Sequence, residues 1–131
     1  MAFKFEELKI WQKALEISSK VNEITKTFQK EEIYVLTSQI KRASDSISLY
    51  IAEGSTGQSD AEFNRFLGYA LRSAIEVIAC LYLAKNRKLI EENSFKELYE
   101  EIESLIVSIQ SLRKILKNKK QPWTVVCGLN A

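Results

Sequence analysis

Three groups of residues in this chain have the types and spacing that chemistry uses. The first lies in "SDSISLYIAEGSTGQSDAEF", Ser44 to Phe63, where Gly54 and Gly57 sit among small hydroxyl residues just after Glu53. A phosphate-cradling loop needs a strand and then G-x-x-x-x-G-K-S/T, so that backbone amides and a lysine meet the phosphates. Here only Ser55 and Thr56 separate the glycines, no lysine follows, and nothing before them reads as a strand. A turn between two helices fits better. The free amides that open the next helix could attract an anion, but Asp60 and Glu62 already stand there.

The second group is the carboxylates. Glu76 lies in the apolar run "AIEVIACLYLA", Ala74 to Ala84. A buried charge needs a partner. Arg72 lies one turn before it, and folding about the glycine turn brings Arg42 to the height of Arg72. A buried polar network is therefore expected there rather than catalysis. Glu53 is expected to make a polar contact that fixes one end of the fold. The chain has no His, which removes the commonest general base and the commonest metal ligand. A di-iron bundle needs Glu-x-x-His pairs. Cys80 and Cys127 form no CxxC pair, so zinc and redox motifs are absent. No nucleophile stands beside an oriented base. No catalytic residue, metal or cofactor is expected, and an enzyme is disfavoured.

The third group is basic. Lys41, Arg42, Arg65 and Arg72 form one candidate patch, and Arg113, Lys114, Lys117, Lys119 and Lys120 a second. Either could meet phosphate backbones. The alternative is a solvated surface. Basic residues at a helix C-terminus complement the helix dipole, and antiparallel packing would set them beside Glu6, Glu7, Glu53 and Asp60. "KNRK", Lys85 to Lys88, is followed at once by Glu91 and Glu92.

These residues must be held by helices. The 131 residues suit one domain, 46% hydrophobic and 27% charged, with four Gly and one Pro. So few breakers imply few loops and long elements. The net charge of +2 is too small to imply polyanion binding alone. Apolar steps of three and four predict helices near 6–28, 31–54, 59–88 and 94–118. Ile10, Ala14, Ile17, Val21, Ile24 and Phe28 line the first, and Ile33, Leu36, Ile40, Ala43, Ile47 and Tyr50 the second. Phe63 to Ala84 and Phe95 to Leu116 line the others. Ser59–Glu62 and Ser94–Glu97 read as capping boxes, and Gly54 suits the left-handed position that ends a helix. Short links predict an up-down-up-down antiparallel four-helix bundle over 1–118. Pro122 opens a tail, 119–131, that is either flexible or a short extended arm.

Helix three carries two further apolar rows. One is Leu71, Ile75, Ile78 and Tyr82, and the other is Phe66, Tyr69, Cys80 and Leu83. A helix apolar nearly all round must be covered nearly all round. A second subunit over Leu71, Ile75, Ile78 and Tyr82 is expected, with the tail folding over that face as the alternative. The longest apolar run falls short of the ~20 residues that span a membrane. "MAFKFEELKIW" lacks the apolar stretch of a secretory signal, so a cytoplasmic, reducing setting is expected.

Three spaced motifs carry a resemblance. They are "FEELKIWQKAL", with Leu8, Trp11 and Ala14; "LTSQIKRASDSI", with Gln39, Arg42, Ala43, Ser46 and Ile47; and "IAEGSTGQSDAEFNRFLGYALRSAIE", with Glu53, Gly54, Phe63, Phe66, Ala70, Ser73 and Glu76. In that order, from about Phe5 to Ile90, they are similar to the bacterial four-helix bundle family often named 23S rRNA intervening-sequence proteins. The resemblance implies a four-helix bundle that assembles as a homopentameric ring. One relative, the accessory protein of diversity-generating retroelements, is a pentamer that binds nucleic acid and a reverse transcriptase. For most members no activity is established. Tyr50 replaces the usual Asn before "IAEG", Arg72 replaces a usual Gly, and Gln58 replaces a common Arg. The usual Pro before helix two is missing. Taken together, a non-enzymatic homo-oligomer is expected, with RNA or DNA binding or a scaffold role. The alternative is a protein-interaction adaptor that uses the ring or the tail "QPWTVV".

Overall fold

The computed structural model describes residues 3–57 and 59–118. Four helices, α1 (Lys9–Thr25), α2 (Ser38–Ser55), α3 (Asp60–Asn86) and α4 (Glu92–Asn118), form a bundle, with no strand among the described residues. Each buries one stripe. Ile10, Ala14, Ile17 and Val21 meet Ile40, Ile47 and Ile51, together with Phe63, Leu67, Ala74, Val77 and Leu81, and Ile102, Leu105 and Ile109. The 3.6-residue repeat set these positions on one side of each helix. Paired contacts give directions. Tyr50 lies against Phe66 and Gln39 against Glu76, so α2 and α3 run antiparallel. Asn64 meets Arg113 and Tyr82 meets Phe95, so α3 and α4 do too.

The ends differ from expectation in instructive ways. Leu8 is extended (φ −76°, ψ 124°), and Lys4–Glu7 forms a 3-10 turn ahead of it. Its anchor is aromatic: the Phe5 ring sits 4.9 Å from that of Trp11. Helix α2 starts seven residues later than its apolar spacing predicts. Lys30–Glu32 is a 3-10 turn, and Ile33–Thr37 is a single wide π turn. A wider turn breaks the 3.6-residue register. Leu36 is therefore buried, whereas Ile33 is 47% exposed and Tyr34 93% exposed. β-Branched Ile33, Val35 and Thr37 crowd a regular helix here. The Thr37 hydroxyl is buried without a hydrogen-bond partner among the described residues.

Both capping assignments are tested by the geometry. Ser59 Oγ accepts from the Glu62 amide at 3.1 Å and starts α3 as expected. Ser94 caps nothing, because α4 already begins at Glu92 and the Phe95 amide bonds to the Glu91 carbonyl at 2.9 Å. The left-handed residue that closes α3 is Lys88 (φ 59°), not a glycine. The Leu89 amide reaches back to the Ala84 carbonyl at 2.9 Å, a six-to-one closure of the Schellman kind.

Gly54 is helical and buried, with no positive φ, so its expected role as a left-handed terminator is overturned. It is there for closeness. A Cβ at Gly54 would stand 2.6 Å from Phe66 Cβ and 3.0 Å from Phe63 Cδ1. Alanine gains about 1 kcal/mol of helix propensity over glycine, but overpacking costs about 1–3 kcal/mol. Gly54→Ala is therefore expected to destabilise the fold by up to about 2 kcal/mol in a denaturant titration; a gain in midpoint would show that α2 and α3 can move apart freely.

Candidate nucleic-acid interface

The expected Glu76 network does not form as a buried site. Glu76 and Arg72 are both exposed. Gln39 Nε2 donates to Glu76 Oε2 at 3.4 Å, and Arg42 Nη2 reaches only Ser38 Oγ at 3.5 Å. The apolar run around Glu76 is amphipathic in three dimensions, and position 76 falls on its solvent side. Glu53 is likewise exposed; its carbonyl, not its carboxylate, receives Thr56 Oγ1 at 2.8 Å. The other motif residues are structural. Ser46 donates to the Arg42 carbonyl at 2.9 Å, and Ser73 is buried between helices. Tyr50 joins Phe66 and Tyr69 in a trio with ring centroids 5.4–6.3 Å apart.

Helix α3 is only partly the doubly apolar element foreseen. Leu71 and Ile78 are half-buried against the core. Ile75 and Tyr82 are 53% and 52% exposed, and Leu83 is exposed on the other flank. Tyr82 lays its ring edge-on to Phe95 and Tyr99 at 5.1 and 6.3 Å. Cys80, assigned to an outer row, is in the core. Over 18 residues α3 reaches a mean hydropathy of 1.5, so by length and composition the whole helix could cross a membrane. The core helix of a bundle meets the same criteria, and one face of α3 is packed against its neighbours.

Burial pushes the Cys80 thiol pKa up, the Glu76 charge adds to this, and Arg87 opposes it. A raised acid favours folding while protonated. That contribution is complete below the ordinary thiol range and is lost as pH rises through the raised value. Native Cys80 is thus expected to resist iodoacetamide at pH 7.5 and to react once denatured, read by mass of the peptide carrying it. Rapid native alkylation would contradict its burial.

The basic residues divide into two settings. Arg65 and Arg72 are seven residues apart, so they share one side of α3 about 10 Å apart along its axis. Arg65 also lies over the Phe66 ring, 5.6 Å from its centroid. Arg42 is level with Arg72, one turn from the Gln39–Glu76 contact. Lys41 does not join them. It shares a face with Asp45, four residues on, whose carboxylate accepts from Ser18 of α1, so it looks toward the opposite side of α2. On α4, Arg113, Lys114 and Lys117 line one open cavity of about 420 Å³ with Asn64 and Gln110. Lys119 and Lys120, and the tail, lie outside the described residues.

Some cations hold carboxylates, while Lys9, Lys13, Lys30, Lys88 and Lys96 make no ion pair among the described residues. Lys20 pairs with Glu101 at 2.6 Å and Glu97 at 3.7 Å, Arg87 with Glu32 at 2.9 Å, Lys85 with Glu92 at 3.3 Å and Lys26 with Glu23 at 3.0 Å. The hydrogen bond to Glu101 raises the Lys20 pKa. A second cavity of about 370 Å³, between α1 and α4, is lined by Lys20, Glu23 and Glu97 and is therefore already neutralised. None of Lys41, Arg42, Arg65, Arg72, Arg113, Lys114 or Lys117 makes an ion pair among the described residues. Among the described residues no ion pair joins these side chains to Glu6, Glu7 or Glu53. Among the described residues no three Cys, Asp or Glu side chains converge as metal ligands.

The comparisons agree on kinship. No curated protein matches the chain. A crystal structure of a protein of unknown function, from the S23 ribosomal protein family of Bacteroides thetaiotaomicron, shares its fold with a TM-score of 0.75. The two are 24% identical over 80% of this chain and 98% of that one. The family described as 23S rRNA-intervening sequence protein matches residues 6–111, which span all three motifs and most of α4. The chain belongs to the 23S rRNA-intervening sequence protein family.

Proposed function

We propose that this protein is a non-enzymatic, cytoplasmic homo-oligomer, an up-down-up-down bundle assembled as a ring, that binds or scaffolds RNA or DNA through basic surfaces. The observation that supports the nucleic-acid reading is that Arg113, Lys114 and Lys117 line one cavity and make no ion pair among the described residues. Unpaired surface cations give up little on meeting a phosphate, and each contact releases counterions. A ring repeats the cluster once per subunit, so weak sites add through effective concentration. The test is binding of single-stranded RNA and DNA across a salt series. Affinity is expected at ~50 mM salt, and the Lys114→Gln, Lys117→Gln double variant is expected to lower the log–log salt slope by about 1.4, at ~0.7 per phosphate. Undetectable affinity at that salt overturns the reading in favour of a protein-interaction adaptor.

The assembly reading rests on Ile75 and Tyr82, which a lone bundle leaves half in water. Ile75 is the better probe than Ile78, because Ile78 packs on the core and its replacement would confound assembly with folding. Light scattering is expected to give a multiple of the 15.1 kDa chain mass for the wild type. Ile75→Asp is expected to give the single-chain mass with unchanged helicity by circular dichroism. A wild-type monomer at micromolar concentration would sink the ring.

A further inference from the structure

Arg113 is held more closely than a surface cation needs to be. Its Nε donates to Asn64 Oδ1 at 2.8 Å, which fixes the plane of the guanidinium. That plane lies against the backbone of α3 at Gly68: a Cβ there would stand 3.2 Å from Nη2, 3.3 Å from Cζ and 3.4 Å from Nη1. A Cβ at 68 would crowd Nη2 and Cζ, and the guanidinium would have to shift by a few tenths of an ångström. Asn64 and Gly68 are four residues apart, hence on one face of α3, and together they form a seat for one side chain of α4. Neither Nη carries a hydrogen bond among the described residues. Arg113 lines a cavity of about 420 Å³ together with Lys114, Lys117, Gln110 and Asn64. A guanidinium fixed at Nε and open at both Nη atoms is ordered before any ligand arrives, so less rotamer freedom is lost on binding. A fork with flanking ammoniums suits a tetrahedral oxyanion taken through two oxygens. Among the described residues that line this cavity there is no carboxylate, in contrast to Glu23 and Glu97 in the cavity between α1 and α4.

We infer that the Asn64–Gly68–Arg113 seat, with Lys114 and Lys117, is a phosphate subsite in which Arg113 is the fixed reader and the two lysines supply diffuse charge. This deepens the nucleic-acid reading above and rests on it for the source of the phosphate. The chemistry is shared by an internal phosphodiester and by a free or terminal phosphate.

The experiment follows the Arg113 Nε–H and Asn64 side-chain amide signals by NMR on the full chain, and separately measures affinity. The probes are inorganic phosphate and a ten-nucleotide single-stranded RNA lacking terminal phosphates. Gly68→Ala changes no charge and suits a helix interior, yet displaces the fork; Arg113→Lys keeps the charge and loses the fork. Each is expected to weaken phosphate binding about tenfold, against about two- to threefold for Lys114→Gln. Thermal melts establish that each variant is folded, and Asn64→Ala, which removes the Nε anchor without adding an atom, replaces Gly68→Ala should the latter fail to fold. Selective shifts with phosphate alone mark a free or terminal group, and shifts with both probes mark a backbone site; either sustains the subsite. RNA affinity without these shifts, or equal losses in all three variants, overturns the subsite while the nucleic-acid reading stands. Phosphate shifts without RNA affinity sustain the subsite and overturn that reading. Silence with both probes overturns the two together.

Discussion

The rest of the bundle depends on how near α2 and α3 can come. That nearness is set at Gly54, where no side chain intervenes and the Phe63 and Phe66 side chains occupy the space a Cβ would need. From this contact the pairing runs along both helices: Tyr50 to Phe66 and Tyr69, then Gln39 to Glu76. The level of Arg42 against Arg72 follows from the same register. So does the end of the bundle at which α3 begins and α4 finishes, and hence the meeting of Asn64 with Arg113. A second glycine repeats the device on the other flank of α3. Gly54 admits aromatic carbon, and Gly68 admits a guanidinium.

The folding pattern was legible because it rests on spacing. The apolar steps of α1, α3 and α4 predict the buried positions nearly residue for residue, since a continuous 3.6-residue helix leaves little choice. The prediction fails where the helix is not regular. Ile33 belongs to a correct stripe in a regular helix and to solvent in a π turn, and nothing in "EEIYVLT" announces the wider turn except its β-branched residues. The Ser94 box fails because Glu91 and Glu92 already offer a helix start two residues earlier. Lys88 in a left-handed conformation is invisible to a search for glycine.

The candidate site was legible in parts. The residue types at the end of α4 suggest anion binding, and their position three and four apart suggests one face. That they make no ion pair among the described residues is a tertiary fact, since the acidic residues Glu6, Glu7 and Glu53 were equally well placed by topology. Asn64, Gln110 and Gly68 went unnoticed. The signal for Gly68 was present as a glycine inside a strongly helical pattern, which costs stability and so asks for a packing reason. Glu76 shows the converse error: a charge inside an apolar run looks buried on paper and is exposed in space.

The core position of Cys80 has a consequence for how this surface can be regulated. With no imidazole in the chain, and with the Cys80 thiol displaced upward by burial, the usual side chains that change charge near neutrality are missing among the described residues. The cation pattern on α3 and α4 is therefore a fixed property over the range in which cells vary their acidity. A surface of that kind cannot act as a sensor of protons. It is tuned from outside, by the counterions it competes with and by the number of copies brought side by side.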